Sequence, residues 1–365
     1  MAHNIVLLLL SFLVIIVGSE LFTNGVEWLG VRLRLSEGAV GSVLAAVGTA
    51  LPETLIPFVA LVLFREEASH EIALGAILGA PFMLSTAAFF VTALSAWAYR
   101  RRRENGWRLA VNRKVVRRDL GFFAPLYAAA IAISFTPVGH WTRKLVALGL
   151  LICYAYYVYL NLREVGEGEK EEPLVFNLVW AALPLLPPAD REAHRARREA
   201  LADGPPRIRA VTAQVLLALG LIVGGAYAFV DAVREISVTI GFPPLVIALV
   251  VAPLATELPE KFNSVIWVRQ SKDTLALGNI TGAMVFQSTF PVTLGILLTS
   301  WRFGLDTVGA CALLSAMIAL VSALTLLATV RSGRSDTMGP WALGVGIIWW
   351  LFFIWFVVAT VVLRH

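Results

Sequence analysis

Two glutamates of this chain sit inside hydrophobic stretches, each directly after a proline and four residues after a threonine. One is Glu53, in Gly48-Thr49-Ala50-Leu51-Pro52-Glu53; the other is Glu260, in Ala255-Thr256-Glu257-Leu258-Pro259-Glu260. A carboxylate at the depth of lipid tails is costly and marks a functional site. Proline withholds a backbone donor and disfavours helical geometry just before it, which frees carbonyls around Thr49 and Thr256. Irregular backbone at that depth persists only where it lines a cavity or is buried in protein. Carboxylates and freed carbonyls are the ligands of a hard cation, and Ca2+ takes about six to eight such oxygens in flexible geometry. Mg2+ dehydrates reluctantly and needs a wider cavity.

The two copies differ in their neighbours. Glu53 is the sole acid between positions 40 and 64. Glu260 is flanked by Glu257 and Lys261, which are four apart with the acid on the N-terminal side, the favoured helical ion-pair arrangement. They either neutralise each other for structural ends, or Glu257 joins the candidate ligands of the transported ion and the Lys261 ammonium serves as a built-in, modulating cation. Gln287 and Asn263 supply neutral oxygens for a cation or hydrogen bonds between helices, with Gln287 the candidate ligand and Asn263 and Asn279 modulating the site. Glu20, Glu27, Asp231 and Arg234 lie toward span ends and read as interfacial groups. Cys153 and Cys311 lie in apolar runs without metal-ligand spacing, and the five histidines fall at span ends, loops or termini. A soft-metal site therefore does not fit.

The elements that must carry these groups are membrane helices. The 365 residues are 58% hydrophobic and 15% charged, with a mean hydropathy of +0.76, far too apolar for a soluble domain of this length. Apolar runs predict ten spans over 4–31, 38–64, 72–98, 119–137, 142–162, 208–232, 243–268, 274–299, 305–330 and 340–363. Leu174–Pro187 is short and proline-bearing, and reads as an interfacial segment inside a long loop. The loop 99–118 holds nine Arg and Lys residues and is expected in the cytoplasm. Ten spans then put both termini outside, and the charged loops at 163–207, 269–272 and 331–334 inside. The net charge of +5 follows from this bias and implies no nucleic acid partner. The expected location is a prokaryotic plasma membrane.

The chain is duplicated. Thr49 and Thr256 are 207 positions apart. Ala73-Leu74-Gly75-Ala76-Ile77-Leu78-Gly79-Ala80 and Ala276-Leu277-Gly278-Asn279-Ile280-Thr281-Gly282-Ala283 agree at six of eight positions at an offset of 203. The predicted organisation is a first five-helix repeat over 1–162, a cytoplasmic loop over 163–207 and a second five-helix repeat over 208–365. Halves with odd span counts insert in opposite orientations, giving an inverted repeat that brings Glu53 and Glu260 together. The glycine pairs make small faces that let the third and eighth spans approach closely.

The Gly-Thr-x-Leu-Pro-Glu pattern, mirrored in the second half with Ala255 in place of the Gly, and the doubled Ala-Leu-Gly-x-x-x-Gly pattern resemble the α-repeats of the cation/calcium exchanger superfamily, the sodium/calcium exchangers in particular. That resemblance spans nearly the whole chain. It implies an all-α fold of ten helices and cation antiport. It places Glu53 and Glu260 at the family's calcium-ligating carboxylates, with Thr49 and Thr256 at its carbonyl donors. Around them the chain departs from the pattern. The family's serines are Ala50 and Glu257 in the earlier motif and Ala80 and Ala283 in the later one. A polar or acidic position is Leu84 in one half and Gln287 in the other. Its Asn is kept as Asn279 but is Ala76 in the first half. These losses fall on positions that help hold sodium in the relatives.

The expected function is secondary active exchange of Ca2+ for Na+ or H+ by alternating access, with inorganic cations and the lipid bilayer as partners and no tightly bound cofactor. The chain shows no nucleotide-binding motif and is not expected to be an enzyme or an ATP-driven pump. A proton-coupled, sodium-independent divalent exchanger, a channel and a non-transporting ion sensor acting through the 163–207 loop are the rival readings. The depleted sodium ligands and Lys261 predict weak Na+ dependence and clear pH dependence of Ca2+ flux. The charge bias predicts that Arg102→Cys and Glu169→Cys, in a background lacking the two native cysteines, are labelled by an impermeant thiol reagent from the cytoplasmic side only, and His140→Cys from outside only. Labelling of positions 102 and 169 from opposite faces would break the inverted-repeat topology.

Overall fold

The computed structural model describes residues 1–32, 45–64, 66–136, 139–164, 207–304, 306–333 and 337–362. The loop expected over 163–207, including Leu174–Pro187, lies from 165 to 206 outside the described residues. The chain is helical and follows the ten expected spans. α1 is Ala2–Arg32 and α2 is Ala45–Val59, continued by a π-helical turn Ala60–Phe64. α3 (Glu67–Met83), a π-helical turn at Leu84–Ala88 and α4 (Phe89–Ala98) make the third span. α5 (Arg113–Ser134) and α6 (His140–Glu164) complete the first half. The second half holds α7 (Ile208–Ile240), α8 (Pro244–Thr256) with α9 (Leu258–Arg269), α10 (Asp273–Gln287) with α11 (Phe290–Leu298), α12 (Thr307–Ser332), and α13 (Trp341–Gly344) with α14 (Gly346–Val357).

Seven of these spans are long and apolar enough to cross a membrane by length and composition. The other three are α2, the broken α8–α9 and the basic-ended α5. α5 begins earlier than hydropathy alone predicts because the Asn112 side chain caps it, accepting from the Lys114 backbone N–H at 3.0 Å. α7 runs past the expected 232 to Ile240 and stops at Gly241, whose φ of 67° only glycine adopts at little cost.

Burial separates scaffold from centre. In the third span 83% of the most apolar window is buried, against 17% in α6, whose Trp141, Leu145, Leu148 and Ile152 face outward as a lipid surface would. Within the centre α3 lies hard against α8. A Cβ added to Gly79 would fall 2.2 Å from the Leu249 carbonyl oxygen, and one on Gly75 would fall 2.3 Å from that of Leu245. The Leu249 carbonyl lacks its helical donor because Pro253 has no N–H, so proline in one helix and glycine in the other make the same contact. The repeat-related Gly278 and Gly282 are less crowded, with Val115 Cγ1 at 3.6 Å and the Tyr157 hydroxyl at 3.4 Å from the added Cβ. The expected close approach of the third span to the eighth is thus corrected: the third packs on the seventh.

The loops sort to two ends. At one end Leu109–Ala110 and Thr337–Met338 pair as β1 and β2, an antiparallel two-strand ladder. There the Arg103 guanidinium donates to both oxygens of Asp273 at 2.5 Å, and the Ala110 N–H donates to Asp273 at 2.8 Å. At the other end Arg143 donates to the carbonyls of Thr299 and Ser300. Arg234 at that end pairs with Glu66 at 3.0 Å and Asp231 at 3.1 Å, the interfacial role expected of Asp231 and Arg234. Loops grouped by charge therefore meet one another. Both Arg103 and Asp273 side chains are wholly buried, and removing one partner strands the other charge. Asp273→Ala is expected to cost about 3–5 kcal/mol of stability, read as a fall in detergent melting temperature. The Arg103→Met/Asp273→Leu double variant should lose less than Asp273→Ala does.

Candidate functional site

Proline acts differently in the two repeats. α2 runs unbroken through Pro52, whereas the second copy breaks at Glu257, where φ is −95° and ψ is 7°, and α9 restarts with Pro259 in its first turn. A break was expected in both. In either geometry the proline has no N–H for the carbonyl four residues earlier, which is Gly48 in one repeat and Ala255 in the other. Thirteen residues of α8 and twelve of α9 flank the break, so it lies about 18–20 Å along the helix axis from either end.

The later motifs are irregular at matched places. The π turn at Leu84–Ala88 in the first repeat corresponds to the Ser288–Thr289 turn after α10 in the second. Thr86 and Ser85 donate to the Phe82 carbonyl at 2.5 and 3.2 Å; Thr289 and Ser288 donate to the Val285 carbonyl at 3.0 and 2.8 Å. These four hydroxyls satisfy carbonyls where the regular ladder is disturbed, and sequence reasoning missed them. The doubled Ser-Thr after Leu84 and Gln287 was the available signal.

At these irregularities the acids come together. Glu53 is 5% exposed, Glu260 3%, Glu257 0% and Gln287 0%. The Gln287 amide donates to Glu53 Oε2, joining the two repeats directly. Glu53 also lies within electrostatic range of Glu260, Glu257 and Lys261. Thr256 is buried, its hydroxyl donating to the Ala252 carbonyl at 3.3 Å, and Ser264 donates to the Glu260 carbonyl at 2.8 Å. Nothing is described of the Thr49 side chain. Asn279 is half-buried, its amide nitrogen enclosed and without a hydrogen-bond partner among the described residues, and Asn263, three residues after Glu260 on α9, is half-buried. The structure thus brings Glu53, Gln287, Glu257, Glu260 and Lys261 together.

Four buried oxygens carry the chemistry. Glu53 Oε1, Glu257 Oε1, Glu260 Oε2 and Gln287 Oε1 have no hydrogen-bond partner among the described residues. A buried acceptor without a donor is expensive, and a carboxylate more so. Asp119 shows the contrast. It is also buried, but it accepts from Thr281 at 2.6 Å and Tyr157 at 3.0 Å, with Arg118 Nε at 3.6 Å, so it clasps α5, α6 and α10. A narrow cavity without room for a water molecule lies beside Glu53, walled by Ala76, Ala80, Pro253 and Thr256. Ala76 and Ala80 are two of the positions where the sequence departs from the exchanger pattern, so those losses fall on the cavity wall. Among the described residues no group of three or more His, Cys, Asp or Glu is arranged to hold a metal ion. A cation here would draw on mixed donors, the carboxylates together with amide and main-chain oxygens.

A family model described as sodium/calcium exchanger protein matches residues 3–163 and 210–362. The chain belongs to this family. Solved structures with the same fold include the H+/Ca2+ exchanger CAX, at a TM-score of 0.67 and 17% identity over 98% of this chain and 86% of that one. The sodium-calcium exchanger NCX_Mj soaked with 2.5 mM Na+ and 10 mM Sr2+ gives 0.57 and 16% over 97% and 98%. The same exchanger soaked with zero Na+ and Ca2+ gives 0.54 and 16% over 96% and 97%. No curated protein matches the chain in sequence.

For this exchanger-family chain, Glu53→Gln and Glu260→Gln each remove one formal charge from the cluster while keeping side-chain shape. Each is expected to lower divalent-ion affinity on the order of 100-fold, as about 2–5 kcal/mol of charge pairing is lost, with little change in melting temperature without Ca2+. Calorimetric Ca2+ titration of purified protein checks both. Normal affinity in either variant would show the site to be misplaced.

Proposed function

We propose that this protein is a secondary antiporter that moves Ca2+ across a membrane against Na+ or H+ by alternating access. The observation that carries the reading is the pair of repeat-related, buried carboxylates, Glu53 and Glu260, each with an oxygen lacking a donor among the described residues. Such oxygens at a helix irregularity fit a dehydrated Ca2+, which accepts many oxygens without strict geometry. Glu53, Glu260 and Gln287 would ligate through their side chains, and the main chain around Thr49 and Thr256 would add carbonyls. Asn279 lies about two turns before Gln287 on α10 and would modulate the site. Membership of an exchanger family supports transport over sensing, and a site shared between two inverted repeats is the plan of many coupled transporters.

In this reading residues 1–162 and 208–365 are the two moving repeats, joined by the 163–207 loop. The end formed by β1, β2 and the Arg103–Asp273 pair is cytoplasmic, as the concentration of Arg and Lys there requires, and both termini lie outside.

Isotope-traced Ca2+ uptake into proteoliposomes, with Na+, K+ or H+ gradients imposed in turn, tests the proposal. Saturable uptake driven by an opposing Na+ or H+ gradient is expected, along with exchange of labelled for unlabelled Ca2+ without any other gradient. Unsaturable flux would identify a channel, and Ca2+ binding without flux would identify a sensor.

A further inference from the structure

Lys261 is the one cation of the cluster among the described residues. It follows Glu260 on α9 and is 9% exposed. Its Nζ donates to Glu257 Oε2 at 3.1 Å and to the Pro253 carbonyl at 3.4 Å, reaching back across the break to α8. Pro253 itself walls the cavity that holds Glu53 and Thr256. The ammonium is therefore held by one carboxylate oxygen and one main-chain carbonyl beside the acid cluster. Those are the ligand types a hard monovalent cation would use. Lysine suits this role as a compact point charge on a flexible stem.

Charge arithmetic gives the position a consequence. At full ionisation Glu53, Glu257 and Glu260 carry three negative charges, and Lys261 returns one. The remaining two are neutralised by one Ca2+ or by two monovalent ions. A site that closes around its cargo in a low-dielectric interior is least costly when it closes neutral. We propose that the Lys261 ammonium is a tethered cation that permanently occupies a monovalent-ion position beside Glu257, so that the exchanger swaps one Ca2+ for two monovalent ions and moves no net charge. This rests on the reading of the cluster as the Ca2+ antiport site. It reassigns Glu257 from a ligand of the transported ion to the partner of the built-in one.

The experiment measures Ca2+ exchange in proteoliposomes whose membrane potential is clamped with K+ and valinomycin, using the counter-ion gradient that drives the unmodified protein. For the unmodified protein the limiting Ca2+ gradient should not depend on potential. Lys261→Ala leaves three negative charges and vacates the position beside Glu257, so a third monovalent ion should enter the cycle. One net charge then crosses per turnover, and the limiting Ca2+ gradient should shift about 50-fold per 100 mV. Glu257→Gln/Lys261→Ala restores two net charges, and its exchange should again ignore potential. This double variant carries the test if Lys261→Ala alone fails to fold. Potential-driven exchange by the unmodified protein or by the folded double variant overturns the proposal. So does potential-independent exchange by folded Lys261→Ala, or loss of all exchange in both variants while folded. Labelled-for-unlabelled Ca2+ exchange by the unmodified protein separates the outcomes: its absence removes the antiport reading, and its presence with the wrong voltage dependence removes only the tethered cation.

Discussion

The structure turns on the cost of keeping three carboxylates out of water in the middle of a helix bundle. An isolated charge in such surroundings is unfavourable by several kcal/mol even after relaxation. The surroundings of Glu53, Glu257 and Glu260 are the response to that cost. Gln287 reaches across the repeat boundary to Glu53, and Lys261 reaches back to Glu257. What remains is a set of oxygens with no donor among the described residues, and oxygens in that condition favour a cation. Asp119 has the same burial and the opposite solution, with donors supplied by Thr281 and Tyr157. It is a structural clasp because nothing is left for an ion to satisfy.

Bringing those acids together requires helices to approach more closely than ordinary side chains allow. The α3–α8 contact does this with glycine against carbonyl, at Gly75 and Gly79. The carbonyl met by Gly79 is the one that Pro253 leaves without a helical donor. Proline therefore has two effects in α8: it disturbs the ladder near the site and exposes a main-chain oxygen to a neighbouring backbone. Pro253 also offers its own carbonyl to Lys261, so packing and electrostatics meet at one residue.

The two repeats share a plan but have diverged in detail. The first keeps a continuous helix through Pro52 and lines its side of the cavity with Ala76 and Ala80. The second breaks at Glu257 and carries the extra acid, the lysine and Gln287. An inverted repeat needs only similar backbones to rock about a shared centre, so side-chain chemistry can concentrate in one half. Here the second half supplies most of the polar groups of the acid cluster and the first supplies Glu53 and the small residues beside it.

Much of this is legible in the order of the amino acids alone. Two Thr-x-x-Pro-Glu motifs in apolar runs, the repeat at offsets of 207 and 203, and the loop charges determined ten spans, their pairing into inverted halves and the two acids at the centre. The reason is physical: the bilayer makes hydropathy, proline and buried charge unambiguous signals. Sequence also read Asp231 and Arg234 as interfacial, and the structure pairs them because residues three apart on a helix are neighbours. It could not decide which helix the glycines of α3 would meet, since a small face is compatible with any partner. It could not say that α2 would continue through Pro52 while α8 and α9 part at Glu257, because tertiary packing chooses how a proline is accommodated. The Arg103–Asp273 pair, 170 residues apart, and the contact of Lys261 with the Pro253 carbonyl were equally invisible. Local spacing fixes which groups share a helix face; only the assembled bundle decides which oxygens receive a donor and which are left for an ion.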